Sequence, residues 1–248
     1  MFFIFTESKI LIATGIPYDD GTNTEIIDVG INSNYSCPKV QPFPVLLDGA
    51  TGGLINGQPF LCGGSLPFLN GDYHYVKDCY KLTNSGSWTK DDTVALNEAR
   101  SGVYGSVVLK NKLFISGGYN GNYLNTIEML SPDATAQTLS VQVFGLEGHC
   151  QVSFSSDQFM VIGGYRLDDR AETYFVNVET NQLTNGPSLK TARSSHGCGE
   201  LEVDGKSYVI VSGGYNNDGG LRSTEILDKD KVVQGWQNGK NIIKVLSQ

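Results

Sequence analysis

The sequence predicts an all-β fold of about five four-stranded units. Three observations carry that expectation: a surplus of glycine, an apolar run that recurs and ends in a glycine pair, and the lack of a long helical stripe. Thirty of the 248 residues are Gly, about 12% where roughly 7% is usual. At 40% hydrophobic and 10% aromatic the chain has apolar material for a sizeable core, so the glycine does not mark a disordered segment. Apolar residues nowhere keep the helical period over a useful length. The short 93–100 stretch comes nearest and reads as a connector.

Taken in order, Ile10-Leu11-Ile12-Ala13-Thr14-Gly15 is a degenerate first copy of the run. Full copies follow at Phe60-Leu61-Cys62-Gly63-Gly64, Leu113-Phe114-Ile115-Ser116-Gly117-Gly118, Phe159-Met160-Val161-Ile162-Gly163-Gly164 and Val209-Ile210-Val211-Ser212-Gly213-Gly214. The last glycine falls at Gly15, Gly64, Gly118, Gly164 and Gly214, in steps of 49, 54, 46 and 50 residues. A fixed period of this length is the signature of a repeat architecture.

Each pair sits in one frame. Before it come a strand and a tight polar turn, as around Lys110-Asn111-Lys112, Ser155-Ser156-Asp157-Gln158 and Asp204-Gly205-Lys206, each a hairpin signature. After it come a polar loop and a strand built around an acidic residue: Thr24-Glu25-Ile26, Thr126-Ile127-Glu128, Glu172-Thr173-Tyr174 and Thr224-Glu225-Ile226. A fourth strand follows, twice carrying Trp, at Trp88 and Trp236. Small four-stranded sheets bury their faces only by stacking on neighbours, which is the plan of a β-propeller. The expected units are 1–46, 47–98, 99–146, 147–192 and 193–248, in one domain spanning 1–248. Glycine permits the sharp turn and close backbone approach where each second strand ends.

The glycine pairs, the acidic strand after them, the Trp, and an Arg ahead of the first strand (Arg100-Ser101-Gly102 and Arg193-Ser194-Ser195) resemble kelch repeats over nearly the whole chain. The units around Gly117, Gly163 and Gly213 match well. The first lacks one Gly, and the second has Ala50-Thr51-Gly52-Gly53 where the Arg-containing segment is expected. Met1 to Phe5 reads as the end of a first strand. Arg100 lies 12 residues beyond Trp88, and Gln248 lies 12 beyond Trp236. Two arrangements fit: a five-unit ring that nearly closes, or a piece of a larger propeller. The resemblance raises the second, since kelch-type propellers more often have six or seven blades, and both arrangements stay open.

A net charge of −8, from 18 basic and 26 acidic residues, argues against nucleic acid as a partner, because phosphate binding relies on Lys and Arg. No run reaches the roughly 18 to 20 apolar residues of a membrane helix. The apolar start stops at Thr6-Glu7-Ser8-Lys9, too early for a secretory leader.

Five cysteines are too few for a disulfide scaffold and lack C-x-x-C spacing. Cys62 and Cys79 are equidistant from Asn70-Gly71, so a hairpin centred there sets them opposite each other. Cys150 and Cys198 hold similar places on the first strands of successive units and form a second candidate pair. Cys37 has no evident partner, and the alternative is five buried thiols. Asn34-Tyr35-Ser36 fits the N-glycosylation sequon. With the cysteines it resembles secreted invertebrate kelch-like proteins, which implies an extracellular location, with a cytoplasmic one as the alternative.

For chemistry, His74 falls in a loop, while His149 and His196 recur at one repeat position and read as structural. The Asp pairs at 19–20, 91–92 and 168–169 lie in polar loops and read as turn residues. The sequence contains none of the common hydrolase, phosphate-binding or dinucleotide fingerprints. No metal site or cofactor is expected. Kelch propellers include galactose oxidase and sialic-acid epimerases, so the resemblance leaves a sugar-processing enzyme as the alternative. An epimerase needs Arg and acid groups together, but the recurrence of Arg100 and Arg193 suggests packing. In kelch adaptors the side chains just after the glycine pair face a partner, which here implicates Tyr119, Tyr165, Tyr215 and Ser65, with Ile16 at the first unit's place. Tyrosine supplies amphipathic contact area at low entropic cost. The expectation is a non-catalytic module that binds a protein or peptide.

Overall fold

The structure, a computed structural model, describes residues 2–5, 9–13, 24–28, 40–69, 72–105, 107–132 and 134–242. Gly15, Ile16, Asp19, Asp20, Asn34, Cys37, Asn70 and Gly71 lie outside the described residues.

Strands follow the expected frame. The first described sheet runs Phe2–Phe5, Lys9–Ala13, Thr24–Asp28, and the second Thr51–Ile55, Gln58–Cys62, Asp78–Leu82, Trp88–Ala95. The third is Val107–Leu109, Lys112–Ser116, Ile127–Ser131, Ala134–Thr138. In the fourth, Val103–Tyr104 lies parallel to His149–Ser153, followed by Gln158–Ile162, Thr173–Asn177 and Gln182–Asn185. The fifth is Gly197–Val203, Lys206–Ser212, Thr224–Asp228, Gln237–Asn238. Among the described residues the one helical element is the 3-10 helix Lys229–Gln234. The hairpin turns Asn56-Gly57 and Asp204-Gly205 have positive φ at both residues (52° and 72°; 50° and 72°), the geometry that matches strand twist in two-residue loops. The stretch 93–100 is only partly a connector, since the strand Trp88–Ala95 runs into it.

The chain divides into two compact units, Met1–Ser101 with Asn111–Leu113 and Met129–Gln137, and Gly102–Lys110 with Phe114–Glu128 and Thr138–Gln248. In the first, Leu11 and Ala13 of one sheet pack with Leu47, Leu61, Tyr80, Leu82 and Trp88 of or beside the next. In the second, Met160, Ile162, Val209, Val211, Leu227 and Trp236 form a core between the fourth and fifth sheets. Phe159 and Val161 face the other way and are equally buried. A central strand covered on both sides explains why these runs are continuously apolar rather than alternating.

Backbone bonds join successive repeats at the glycine pairs. Gly64 N donates to Arg100 O (2.7 Å), Gly118 N to Leu146 O (2.7 Å) and Gly164 N to Arg193 O (2.9 Å). Gly163 and Gly164 show why a side chain is excluded. Both have positive φ (57° and 105°); a Cβ on the first would stand 2.7 Å from Arg193 O, and on the second 2.7 Å from His149 Cβ. His149 and His196 thus fill the room that glycine leaves: His149 Cε1 lies 3.0 Å from where Gly117 would place a Cβ, and His196 Cε1 2.9 Å from that of Gly163.

Burial is the main influence on His196, followed by the Arg193 and His149 charges, and together they push it down to about 3 against the opposing Ile162 carbonyl. The folded chain therefore keeps this ring neutral where the unfolded chain takes up a proton. Stability is full above pH about 6.5 and falls with acid toward pH 3, by up to about 1.4 kcal/mol per pH unit for this one group. The His196→Gln variant is expected to show a shallower acid limb than wild type in urea denaturation between pH 6.5 and 4; parallel limbs would disprove the assignment.

Equivalent hydrogen bonds fix the repeat register. Gly63 N, Gly117 N, Gly163 N and Gly213 N donate to the carbonyls of Asp78, Thr126, Glu172 and Ser223. Two residues further on stand Tyr80, Glu128, Tyr174 and Glu225. The acidic position of the fourth repeat is therefore Tyr174; Glu172, read from the sequence as its acid, precedes the strand Thr173–Asn177 and is exposed. The register also aligns Leu47, Arg100, Leu146 and Arg193. Repeats three and five thus combine Arg with Glu, whereas two and four combine Leu with Tyr. In the fifth, Arg193 Nη2 meets Glu225 Oε1 at 2.9 Å with both side chains buried, and Arg193 Nη1 donates to Gly213 O and Ser223 O. Glu225 also accepts from the amides of Lys190 and Thr191. Arg100 and Glu128 are buried as well. The arginines are packing elements, as their recurrence implies.

Cys62 and Cys79 are paired residues of adjacent strands and form a disulfide, with Cα atoms 4.1 Å apart. Cys150 and Cys198 form a second across the fourth and fifth sheets, with Cα atoms 6.0 Å apart.

Candidate functional site

In three repeats the residue after the glycine pair is held by its backbone. Ser65 exchanges two hydrogen bonds with Asp48, Tyr165 with Glu147 and Tyr215 with Ser194. This ladder fixes the backbone and leaves the side chain to be chosen repeat by repeat.

Tyr119, Tyr165 and Tyr215 are half-buried. The rings of Tyr119 and Tyr165 are linked through Tyr123, which sequence reading did not single out: the Tyr119–Tyr123 centroids are 5.2 Å apart and those of Tyr123–Tyr165 6.2 Å. Tyr119 and Tyr123 also face each other across an isolated β-bridge. Burial raises the Tyr123 hydroxyl, the Leu167 amide partly opposes that by hydrogen bonding to it, and Glu147, Tyr165 and Tyr119 raise it further. Tyr215 stands outside this chain of rings among the described residues. Ser65 departs from the expected role: it is 2% exposed and offers a partner no contact area, because its short side chain is covered while its backbone bridges Asp48.

Beside Tyr165 lies a polar hollow of about 230 Å³ lined by Tyr104, Glu147, Tyr165, Ser194 and Ser195. Burial pushes the Glu147 carboxyl up. Ser195 has left-handed backbone (φ 51°) at the repeat position where Gly49, Gly102 and Gly148 stand with φ of 61°, 74° and 63°. Such backbone costs a non-glycine residue on the order of 1 kcal/mol. Gly102, Gly148 and Ser195 all line the hollow, and of the three only Ser195 brings a side chain to it.

Neither Tyr123 nor Glu147 carries a motif. Tyr123 becomes visible only when the loop folds back on Tyr119. No group of three metal-ligating side chains occurs among the described residues, and none of their helices is long and apolar enough to cross a membrane.

Comparisons with known proteins agree with this architecture. The kelch motif model matches residues 104–135, the stretch that forms most of the third sheet. The solved structure of YjhT superposes with a TM-score of 0.80 at 13% identity, covering 98% of this chain and 84% of that one. No curated protein matches the sequence. The chain has the fold of a β-propeller and carries a kelch motif at residues 104–135.

Proposed function

We propose that the chain is a non-catalytic binding module that holds a protein or peptide partner on the face bearing Tyr119, Tyr123 and Tyr165. The run of three adjoining rings carries this reading. Aromatic rings pre-positioned by a rigid sheet give large contact area without much ordering cost, and the Glu147 hollow beside them supplies polar groups that fix orientation. Two disulfides add an argument for an oxidising, extracellular setting.

Selection of a displayed random-peptide library on the wild-type protein tests this. The enriched peptides are expected to bind Tyr119→Ala/Tyr165→Ala at least tenfold more weakly, with thermal stability little changed. Undiminished binding would remove this face from consideration. A sugar-processing role on the same fold draws on one observation, the burial-raised carboxyl of Glu147 in a hollow of sugar size. Glu147→Gln separates the readings, since it abolishes general acid chemistry while keeping the shape.

A further inference from the structure

The alternation of Arg–Glu with Leu–Tyr has a counterpart in open space. A cavity of about 390 Å³ lies against the fourth repeat, with Leu146, Tyr174 and Phe144 as its apolar wall and Arg166, Leu167 and Arg170 in its lining. Leu146 and Tyr174 occupy the two positions that in the fifth repeat bear Arg193 and Glu225, and Gly163 and Glu172, also lining the cavity, match Gly213 and Ser223, whose carbonyls bind Arg193. The cavity is therefore the socket that the fifth repeat fills with its own guanidinium. The second repeat shares the Leu–Tyr pattern but is plugged: Phe43 is buried and packs edge-on against Tyr80 at 4.9 Å. In the fourth, Phe144 stacks on Tyr174 at 5.1 Å and stays 53% exposed, forming a wall rather than a plug.

We propose that this socket is a ligand site for a carboxylate joined to a bulky apolar body. A cationic guest is disfavoured because the Leu146–Tyr174 pairing offers no counterpart of the buried Glu225 carboxylate, and the one carboxylate in the lining, Glu172, is outnumbered by Arg166 and Arg170. The charged groups in the lining are Arg166, Arg170 and Glu172, with Glu172 Oε1 3.9 Å from Arg170 Nη1. They leave one net positive charge beside an apolar interior of a volume usual for small ligands. Leu167, 83% exposed and in left-handed backbone with φ 63°, presents an apolar side chain to solvent at this site. Away from the hairpin turns, non-glycine residues in this conformation cluster at ligand-binding surfaces.

The same chemistry occurs in a free aromatic acid and in an apolar residue at a peptide C-terminus. The probes are therefore N-acetyl-L-phenylalanine, its C-terminal amide, and a pentapeptide ending in Phe as acid and as amide. Titration followed by amide NMR is expected to move the Leu146, Arg166 and Arg170 signals with Kd on the order of 1 mM for N-acetyl-L-phenylalanine, and about tenfold more weakly for its amide. A peptide acid that binds more tightly than the small acid identifies a chain terminus as the guest; equal affinity identifies the free acid. The Leu146→Arg/Tyr174→Glu double variant copies the fifth repeat and is expected to fill the socket and abolish binding. Arg166→Ala/Arg170→Ala, at the surface, is expected to weaken the acid to the level of the amide. Equal binding of acid and amide, binding that survives the double variant, or no shift at 10-fold the stated Kd would each overturn the proposal. The tyrosine variants leave this titration unchanged.

Discussion

Replacing Glu225 by alanine is expected to lower the unfolding free energy by about 3–5 kcal/mol, because it strands a fully buried guanidinium. Arg193 is 0% exposed, and the carboxylate it would lose also accepts two backbone amides at 2.6 and 3.0 Å. Arg193→Ala is expected to cost a similar amount. The informative variant is Arg193→Leu/Glu225→Tyr, which imports the pairing of the second and fourth repeats. Since exchanging a buried ion pair for well-packed apolar groups is often close to neutral, the double variant should recover most of either single loss. A chemical-denaturation cycle measures the coupling. Additive costs would show that the two positions act independently and that the alternation between repeats is incidental.

Removing the Cys150–Cys198 bond as an alanine pair is expected to cost about 4 kcal/mol, and removing Cys62–Cys79 about 3 kcal/mol. The difference follows from the loops closed, 48 and 17 residues, in the chain-entropy treatment. For a chain of this size about 4 kcal/mol corresponds to a Tm lower by roughly 8–16 °C. Intact mass without reductant checks the premise: four of the five cysteines should resist alkylation. Five alkylated thiols in the unreduced protein would disprove both bonds, and equal Tm for wild type and the Cys150/Cys198 variant would disprove the stabilising role of the second.

The fold was legible because the physics of the central strands is written in consecutive residues. A strand buried on both faces must be apolar throughout, as in Phe159-Met160-Val161-Ile162, and the turn after it must be glycine because a neighbouring repeat's backbone and His149 occupy the space of a side chain. The Cys62–Cys79 pairing was legible for a similar reason, since symmetry about one turn fixes the register of a hairpin. The Cys150–Cys198 pairing came from period alone. The candidate site was less visible. Aligning repeats on their acidic residues put Glu172 where Tyr174 belongs, and only the bond from Gly163 N to Glu172 O reveals the true register. Tyr123 and Glu147 sit in loops without periodicity, and their significance depends on ring and cavity neighbours brought together by folding. Ser65 was legible as a repeat position but not as a buried one, because its exposure is set by the chain around it rather than by its place in the repeat.

The two disulfides differ in what must exist before they form. Cys62 and Cys79 belong to one sheet, so their oxidation requires only that the strands Gln58–Cys62 and Asp78–Leu82 have met. Cys150 and Cys198 lie in successive repeats, so theirs must wait until the later repeat has been synthesised and docked against the earlier one. During biosynthesis the first bond therefore records that a sheet has formed. The second records that one sheet has found its correct neighbour, and it makes that docking hard to undo while the rest of the chain matures.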